Sequence, residues 1–339
     1  MSHTSLCWPQ KSISPLAGII IMAMIIFSEQ AESETKPPLL ILDTDISSDV
    51  DDVGAVALLH GLANQGKVRI LAMMGSSGDP WSVPCLDAIN TWFGRPNIPI
   101  GMVKGNNVRH VSKYSQKIAQ QFPHDSQTGA EAQDAVDLYR HILAHQEDKS
   151  VILVTVGYLT NLRNLLQSKP DEHSPLDGKT LVQQKVQRLV AMGGQYPSGR
   201  EWNFHQDPTA SAYVVKHWPT PIVFSGFEVG KDVLTGAGLR HKNLDPQPVQ
   251  QSYMLYNGLT DRPSWDQVTV YYAVITANGQ QTDLWSSIQG KNSVQEDGSN
   301  LWQNTTEASQ HSYLVQNGPT ETITDLIEQL MLSKNISPE

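Results

Sequence analysis

Short apolar runs alternate with longer, periodically apolar stretches along most of the chain after Pro38. The short runs have the length of strands and the longer stretches have the length of helices. We predict strands at residues 39–42, 68–74, 151–156, 188–192 and 221–224. We predict helices at residues 53–60, 82–93, 130–145, 161–167, 208–217, 265–276 and 321–332. This alternation is typical of a mostly parallel central sheet with helices on both faces.

Two stretches, 112–129 and 277–311, are polar and are predicted to be loops that cover a site or carry insertions. The sequence contains no internal repeat and no linker long enough to separate two domains. A chain of 339 residues can form one large α/β domain or two small ones. We therefore predict a single open α/β domain from residue 34 to residue 339.

The amino-terminal segment has the pattern of a signal peptide. Residues 15–27 are apolar, Lys11 precedes them, and the small and polar residues 28–33 follow. The apolar run is short for a membrane span and fits a signal-peptide core with cleavage near residues 31–33. We expect a secreted or periplasmic protein with no stable membrane association after cleavage. An uncleaved amino-terminal anchor is the alternative.

Charge and cysteine content exclude several classes of protein. The formal net charge is −10 and the sequence has no run rich in Lys or Arg, which argues against a nucleic-acid-binding face. Of the two cysteines, Cys7 would leave with the signal segment, so Cys85 could form no intrachain disulfide. We expect no nucleic-acid partner and a fold held together by its core.

Five aspartates fall within ten residues, between the predicted strand 39–42 and the predicted helix 53–60. They are Asp43, Asp45, Asp49, Asp51 and Asp52. One aspartate is enough to cap a helix, and crowded carboxylates repel one another unless a cation lies among them. Carboxylates without nearby Cys or His favour a hard ion, Ca²⁺ or Mg²⁺. The pattern therefore predicts a metal site at the carboxyl end of a strand.

Three further motifs follow predicted strands or begin a predicted helix. They are Gly157-Tyr158-Leu159-Thr160-Asn161, Met192-Gly193-Gly194 with Glu201-Trp202-Asn203 and Asp207-Pro208, and Trp265-Asp266. With the aspartate cluster, these motifs resemble the inosine–uridine-preferring nucleoside hydrolase family from about residue 39 to residue 275. Its members carry Asp-x-Asp-x-x-x-Asp-Asp, Gly-x-Leu-Thr-Asn and Met-Gly-Gly with Glu-Phe-Asn and Asp-Pro in this order.

The resemblance implies a nucleoside-hydrolase fold and Ca²⁺-dependent hydrolysis of the N-glycosidic bond of ribonucleosides to ribose and free base. It implies that Asp45 binds the metal and acts as general base toward its water. It implies that Asp52, the main-chain carbonyl of Val156 and Asp266 complete the metal ligands. Asp51, Glu201 and Asn203 would bind the ribose. Members of the family are often homo-oligomers.

The sequence departs from the family pattern at several positions. Two extra residues after Asp45 make Asp49 a rival of Asp51 for the ribose. Trp265 replaces the His that protonates the leaving base in many members, which resembles the purine-preferring branch, where aromatic rings stack on the base. Trp265 could instead be a packing residue. Ser76-Ser77 replace the usual Asn after the second strand, and Glu228 follows a strand end without a counterpart in the family.

Two other classes of function remain as alternatives. A haloacid-dehalogenase-like phosphatase also places Asp-x-Asp after a strand, but Ser47 stands where that family has Thr or Val, and Asp49, Asp51 and Asp52 stay unexplained. A secreted Ca²⁺-dependent binding protein could keep the sugar pocket without turnover. The missing His before Asp266 and the altered Asn motivate this second alternative.

Overall fold

The computed structural model describes residues 1–4, 36–126, 128–241, 247–305 and 309–333. Its contacts divide the chain into two units, Met1–Lys36 and Pro37–Glu339, and the second unit carries the fold described below. The predicted signal core at 15–27 and the cleavage region at 31–33 lie outside the described residues. In the part of the chain that is described, no helix is long and apolar enough to cross a membrane.

Strands and helices alternate through the second unit, as the sequence predicts. The strands are β1 (Leu39–Thr44), β2 (Arg69–Gly75), β3 (Ile100–Met102), β4 (Gln133–Asp134), β5 (Val151–Thr155), β6 (Val186–Met192), β7 (Ser198–Gly199), β8 (Ile222–Ser225), β9 (Leu234–Thr235), β10 (Arg262–Pro263), β11 (Trp285–Val294), β12 (Asn300–Asn304) and β13 (His311–Gln316). The helices are α1 (Asp51–Asn64), α2 (Ser82–Trp92), α3 (Ser115–Gln121), α4 (Ala135–Ala144), α5 (Thr160–Gln167), α6 (Gly178–Lys185), α7 (Trp202–Gln206), α8 (Pro208–His217), α9 (Phe227–Gly230), α10 (Pro248–Asn257), α11 (Trp265–Ile275) and α12 (Thr320–Met331).

A large sheet forms the centre of this unit. Its strand order is β4-β3-β2-β1-β5-β6-β8-β13-β11-β12-β7, and the pairings from β4 to β13 are parallel. β11, β12 and β7 extend the sheet by antiparallel pairing. β9 and β10 form a separate two-stranded sheet. The mostly parallel α/β fold expected from the sequence is confirmed.

Helices cover both faces of the sheet, and β1 shows how the two sides separate. Leu40 and Leu42 are fully buried and belong to the cluster that includes residues of α1, α11 and α12. Ile41 points to the other face, into the cluster that includes residues of α4, α5 and α8. Successive side chains of a strand point to opposite faces, so a continuous apolar run is what a strand covered on both faces requires.

Two predicted loops contain regular structure, and these predictions were wrong. The stretch 112–129 includes α3, whose buried apolar residues are few and whose other positions are polar. The stretch 277–311 includes β11 and β12, and most side chains of β11 are at least partly exposed, so the strand lacks an apolar run. The helix predicted at 130–145 begins only at Ala135, after the short strand β4. Helices α6 and α10 were not predicted.

Parallel pairing brings the loops that follow β1, β5 and β6 to one edge of the sheet. Asp43 on β1 pairs with Thr155 on β5, and Thr155 pairs with Ala191 on β6. The three strands therefore end side by side, where α/β proteins place their ligand sites.

Candidate active site

A cavity of about 330 Å³ opens at this edge of the sheet. Every residue that the sequence analysis placed in the site lines it: Asp45, Asp49, Asp51, Asp52, Val156, Glu201, Asn203, Trp265 and Asp266. Residues that were not proposed for the site complete the lining: Ser48, Met192, Trp202, Phe227, Tyr256 and Arg262. The structure thus gathers residues from distant parts of the chain into one cleft.

Three buried carboxylates lie close together at the bottom of the cleft. Asp51 and Asp52 begin α1, Asp266 lies in the first turn of α11, and one oxygen of each lies within 4.8 Å of the others. Burial raises the pKa of all three carboxyl groups well above the ordinary value, and the neighbouring negative charges raise it further. Since buried like charges need a compensating charge, this donor set fits a hard divalent cation.

Asp45 lies in the same cleft but outside this group of three. Its Oδ2 accepts a hydrogen bond from Ser48 Oγ at 2.6 Å, and burial raises the pKa of its carboxyl group. The main-chain carbonyl oxygen of Val156, which was also predicted to bind the metal, accepts a hydrogen bond from Asn203 Nδ2 at 2.9 Å. The roles predicted for Asp45 and Val156 therefore stay predictions, although both residues are in place.

The two rival aspartates of the first motif have different surroundings. Asp49 lies at the partly exposed rim, where its Oδ1 accepts a hydrogen bond from Arg262 Nε at 3.0 Å and its Oδ2 bonds to Arg262 Nη2. Asp51 is buried, and its Oδ2 is 3.5 Å from the backbone nitrogen of Asp266. In this longer motif, Asp49 therefore pairs with Arg262 at the rim, while Asp51 lies in the interior of the cleft.

Glu201 is held by backbone groups. It caps the short helix α7, and its carboxylate accepts hydrogen bonds from the backbone N–H of Gly194 at 3.0 Å, Asn203 at 2.6 Å and Phe204 at 3.2 Å. Burial raises the pKa of Glu201 to about 7. A carboxylate oxygen has two lone pairs, so a fixed carboxylate of this kind can still accept a bond from a sugar hydroxyl.

Asp43 and Asn161 support the cleft from beneath. Asp43 Oδ2 accepts hydrogen bonds from Tyr139 Oη at 2.8 Å and from Asn161 Nδ2 at 3.1 Å. Asn161 Nδ2 also lies 3.2 Å from the carbonyl oxygen of Gly75. The asparagine of the Gly-x-Leu-Thr-Asn motif therefore ties α5 to the ends of β1 and β2.

Aromatic side chains form one wall of the cleft. The rings of Trp265 and Phe227 stack with centroids 5.4 Å apart, and Trp265 Nε1 donates to the carbonyl oxygen of Phe227 at 2.8 Å. Tyr256 and Arg262 were missed because they lie on α10 and β10, which the sequence analysis did not predict. Glu228, which has no counterpart in the family motif, accepts a hydrogen bond at its Oε1 from the backbone N–H of Tyr196 at 3.1 Å.

A sequence model described as inosine-uridine preferring nucleoside hydrolase matches residues 40–316 of the chain. The chain belongs to this family. Its members are nucleoside hydrolases, enzymes that cleave N-ribosyl bonds, so the chain is an enzyme of this class and acts on small nucleoside substrates. The family membership expected from the four sequence motifs is confirmed.

Individual nucleoside hydrolases agree with this assignment. The chain is 27% identical over 283 residues to the pyrimidine-specific ribonucleoside hydrolase RihA of Shewanella sp. (strain MR-4). The aligned region covers 74% of this chain and 82% of RihA. A plant nucleoside hydrolase superimposes with a TM-score of 0.65 at 17% identity, covering 87% of this chain and 99% of its own. The purine-preferring ribonucleoside hydrolase of Gardnerella vaginalis has a TM-score of 0.65 at 16% identity, covering 86% and 98%. These two structures share its fold.

Proposed function

We propose that this nucleoside hydrolase uses a bound Ca²⁺ to hydrolyse ribonucleosides to ribose and free base, and that it prefers purine nucleosides. The observation that carries the proposal is the position of the three buried carboxylates of Asp51, Asp52 and Asp266 beside the aromatic wall of Trp265 and Phe227. A nucleoside needs both surfaces, one for its sugar and one for its base.

The residues that would hold Ca²⁺ are Asp45, Asp52, Asp266 and the carbonyl oxygen of Val156. When bound, the ion would supply charge that lowers the pKa of a water molecule and would orient that water toward the sugar. The donor set consists of oxygen atoms alone, which suits a hard cation. We assign Asp51, the third member of the buried group, to the ribose hydroxyls together with Glu201 and Asn203.

The chain's own side chains would perform the remaining chemistry. Asp45 would accept the proton of the attacking water, and its burial, which raises its pKa, makes it a stronger base. Cleavage develops positive charge on the ribosyl ring, and the buried carboxylates around the sugar would stabilise that charge. The fixed carboxylate of Glu201 would hold the ribose in one orientation.

The base preference rests on the aromatic wall. Trp265 stands where many members have the His that protonates the leaving base, and an indole can stack on the flat ring system of a purine. The preferences named for the relatives differ, since the Shewanella protein is called pyrimidine-specific and the Gardnerella protein purine-preferring. We therefore base the purine preference on Trp265 and Phe227 themselves.

The cellular location is proposed from the sequence pattern alone. The apolar run at 15–27 and the small residues after it support export with removal of a signal peptide, which would leave a secreted or periplasmic enzyme. Homo-oligomer formation is proposed from the resemblance to the family.

The test incubates the mature protein with inosine, adenosine, guanosine, uridine and cytidine, with and without a chelator, and measures released ribose. We expect ribose release that is fastest with a purine nucleoside and is abolished by the chelator. Asp148→Asn changes an exposed aspartate paired with Lys185 outside the cleft and should behave as wild type. Protein that binds Ca²⁺ but releases ribose from none of the five would contradict the catalytic claim. Faster cleavage of uridine than of any purine would contradict the base preference alone.

A further inference from the structure

Arg262 is the basic side chain among the residues that line the cleft in the described part of the chain. Its side chain is 31% exposed, and that of its partner Asp49 is 24% exposed. Asp49 lies in the segment between Asp45 and Asp51, which is two residues longer than in the family motif. The family motif therefore does not account for the Asp49–Arg262 ion pair.

The ion pair uses only one side of the guanidinium group. Arg262 Nε and Nη2 donate to the two carboxylate oxygens of Asp49. An arginine has five N–H donors in one plane, so this side-on pairing leaves the N–H groups of Nη1 and the second N–H of Nη2. Those remaining donors form a second planar fork at the end of the side chain.

Neighbouring groups hold this arginine in a fixed position. Its guanidinium carbon lies 5.3 Å from the ring centroid of Trp265 and 5.8 Å from that of Tyr256, at distances where a cation is attracted to an aromatic face. Tyr114 Oη donates to the main-chain carbonyl of Asp49, which fixes the loop that carries the aspartate. A donor held in place before the substrate arrives loses little entropy on binding.

We propose that Arg262 recognises the leaving base by donating from its free fork to O6 and N7 of a 6-oxopurine that lies against Trp265. This inference rests on the proposed function and names its substrate class as inosine and guanosine. The edge formed by O6 and N7 presents two acceptors with the spacing that an arginine fork matches. Adenine presents an amino donor in place of O6, so the same fork meets it with only one acceptor.

The same contact acts on the chemical step. The C1′–N9 bond breaks, the oxygen of the attacking water bonds to C1′, and a proton of that water passes to Asp45. The electron pair of the broken bond goes to the purine, where the negative charge spreads to N7 and O6 and is met by the donors of Arg262. The base then takes a proton from solvent and Asp45 releases one. Arg262 thus stabilises the departing base without giving up a proton.

The test compares kcat/KM of wild type, Arg262→Met and Arg262→Lys on inosine, guanosine, adenosine and 4-nitrophenyl β-D-riboside. The aryl riboside has a good leaving group and no purine edge. We expect Arg262→Met to lose about 100-fold on inosine and guanosine, the usual effect of removing one fixed donor, a smaller loss on adenosine, and under about threefold on the aryl riboside. Arg262→Lys keeps the charge but loses the fork, so it should show the same pattern. Arg240→Met, at an exposed arginine outside the cleft, serves as the control.

A substrate change tests the contact in the unaltered enzyme. 7-Deazainosine lacks the N7 acceptor and should react more slowly than inosine with wild type, and Arg262→Met should remove most of that difference. Equal losses on all four substrates, including the aryl riboside, would show that Arg262 only supports the structure and would overturn the inference. If wild type releases ribose from none of the substrates, the proposed function itself fails, and the inference fails with it.

Discussion

Four of the five aspartates of the first motif have three kinds of surroundings. Asp43 accepts hydrogen bonds from Tyr139 and Asn161, Asp49 pairs with Arg262, and Asp51 and Asp52 lie against Asp266. Burial raises the pKa of Asp43 to about 7. One sequence motif therefore supplies a structural acid, an acid at the rim and two acids of the buried group that could hold a metal ion.

His60 allows a prediction about pH that is separate from the cleft. This buried histidine on α1 bonds through Nε2 to Asn90 Oδ1 at 2.8 Å, and Arg95 Nη1 lies 3.3 Å from its Nδ1. Both contacts suit the neutral ring, and burial lowers the pKa of His60 to about 3. The unfolded chain, with an ordinary pKa near 6.5, binds this proton first as the pH falls. Titration of His60 therefore lowers the free energy of unfolding as the pH falls from about 6.5 toward 3.

Urea unfolding at pH 7 and pH 5 measures this contribution. Each pKa unit is worth about 1.4 kcal/mol, so titration of His60 should lower the free energy of unfolding by about 2 kcal/mol between these values. His60→Gln removes this titrating group. Its free energy of unfolding should therefore fall by about 2 kcal/mol less than that of wild type between pH 7 and pH 5. The same pH dependence in both proteins would contradict a neutral buried His60.

At the scale of single residues, the sequence predicted the side chains whose type and spacing reveal chemistry. Asp45 and Asp52 belong to the carboxylates that crowd after the first strand, and Asp266 was singled out by the resemblance to the nucleoside hydrolase family. Arg262 could not be named, because its partner Asp49 is 213 positions away in the sequence and only the fold brings the two together.

At the scale of elements, the turns after β1 and β5 pack closely against each other. A Cβ atom at Gly157, in the turn after β5, would lie 2.4 Å from the backbone nitrogen of Asp45 and 2.8 Å from its Cβ. Contacts this short require the backbone to move. The glycine of the Gly-x-Leu-Thr-Asn motif therefore lets the proposed general base approach the neighbouring turn.

Gly157→Ala should displace Asp45 while leaving the core intact. A shift of about 1 Å at a catalytic group can cost roughly 100-fold in rate, and we expect a loss of that order in kcat/KM for inosine with a far-UV CD spectrum like that of wild type. Gly75→Ala is the matched control at the end of β2, where the nearest atom to an added Cβ is 3.5 Å away. Near-normal activity of Gly157→Ala would refute the close packing of these turns.

The strands that the sequence predicted are largely buried on both faces of the sheet. β1 and β5 consist of apolar residues up to their polar carboxyl ends and were recognised with boundaries close to those observed. β11 has mostly exposed side chains, and α10 has Gln250, Gln251 and Ser252 in its middle, so neither shows a continuous apolar pattern. Elements at the surface depend on pairing and packing with distant residues, which periodicity does not report.

At the scale of the whole molecule, the parallel sheet explains why residues far apart in sequence form one cleft. The loops after β1, β5 and β6 leave the sheet at the same edge, and α11 brings Asp266 to them from the other end of the domain. The antiparallel extension by β11, β12 and β7 was not predicted. The cleft lies in the parallel half, which is why the four motifs were enough to locate it.

Metal binding by the buried acids, as proposed, would also link the cleft to the stability of the whole domain. An ion that binds the folded chain and not the unfolded chain stabilises it by about 2.7 kcal/mol at a concentration 100 times its Kd. The proposed function therefore depends on one claim, that the acids of this cleft bind a divalent cation that the hydrolysis requires.

The most direct test of that claim removes metal with a chelator and then titrates Ca²⁺ back while ribose release from inosine is measured. Wild type should be inactive after chelation and should regain activity as Ca²⁺ is added, in parallel with a rise in melting temperature. Asp52→Asn should lose at least about 100-fold in activity and show no such rise, because one buried charged ligand is gone. Full activity in the chelated wild-type protein would contradict the account.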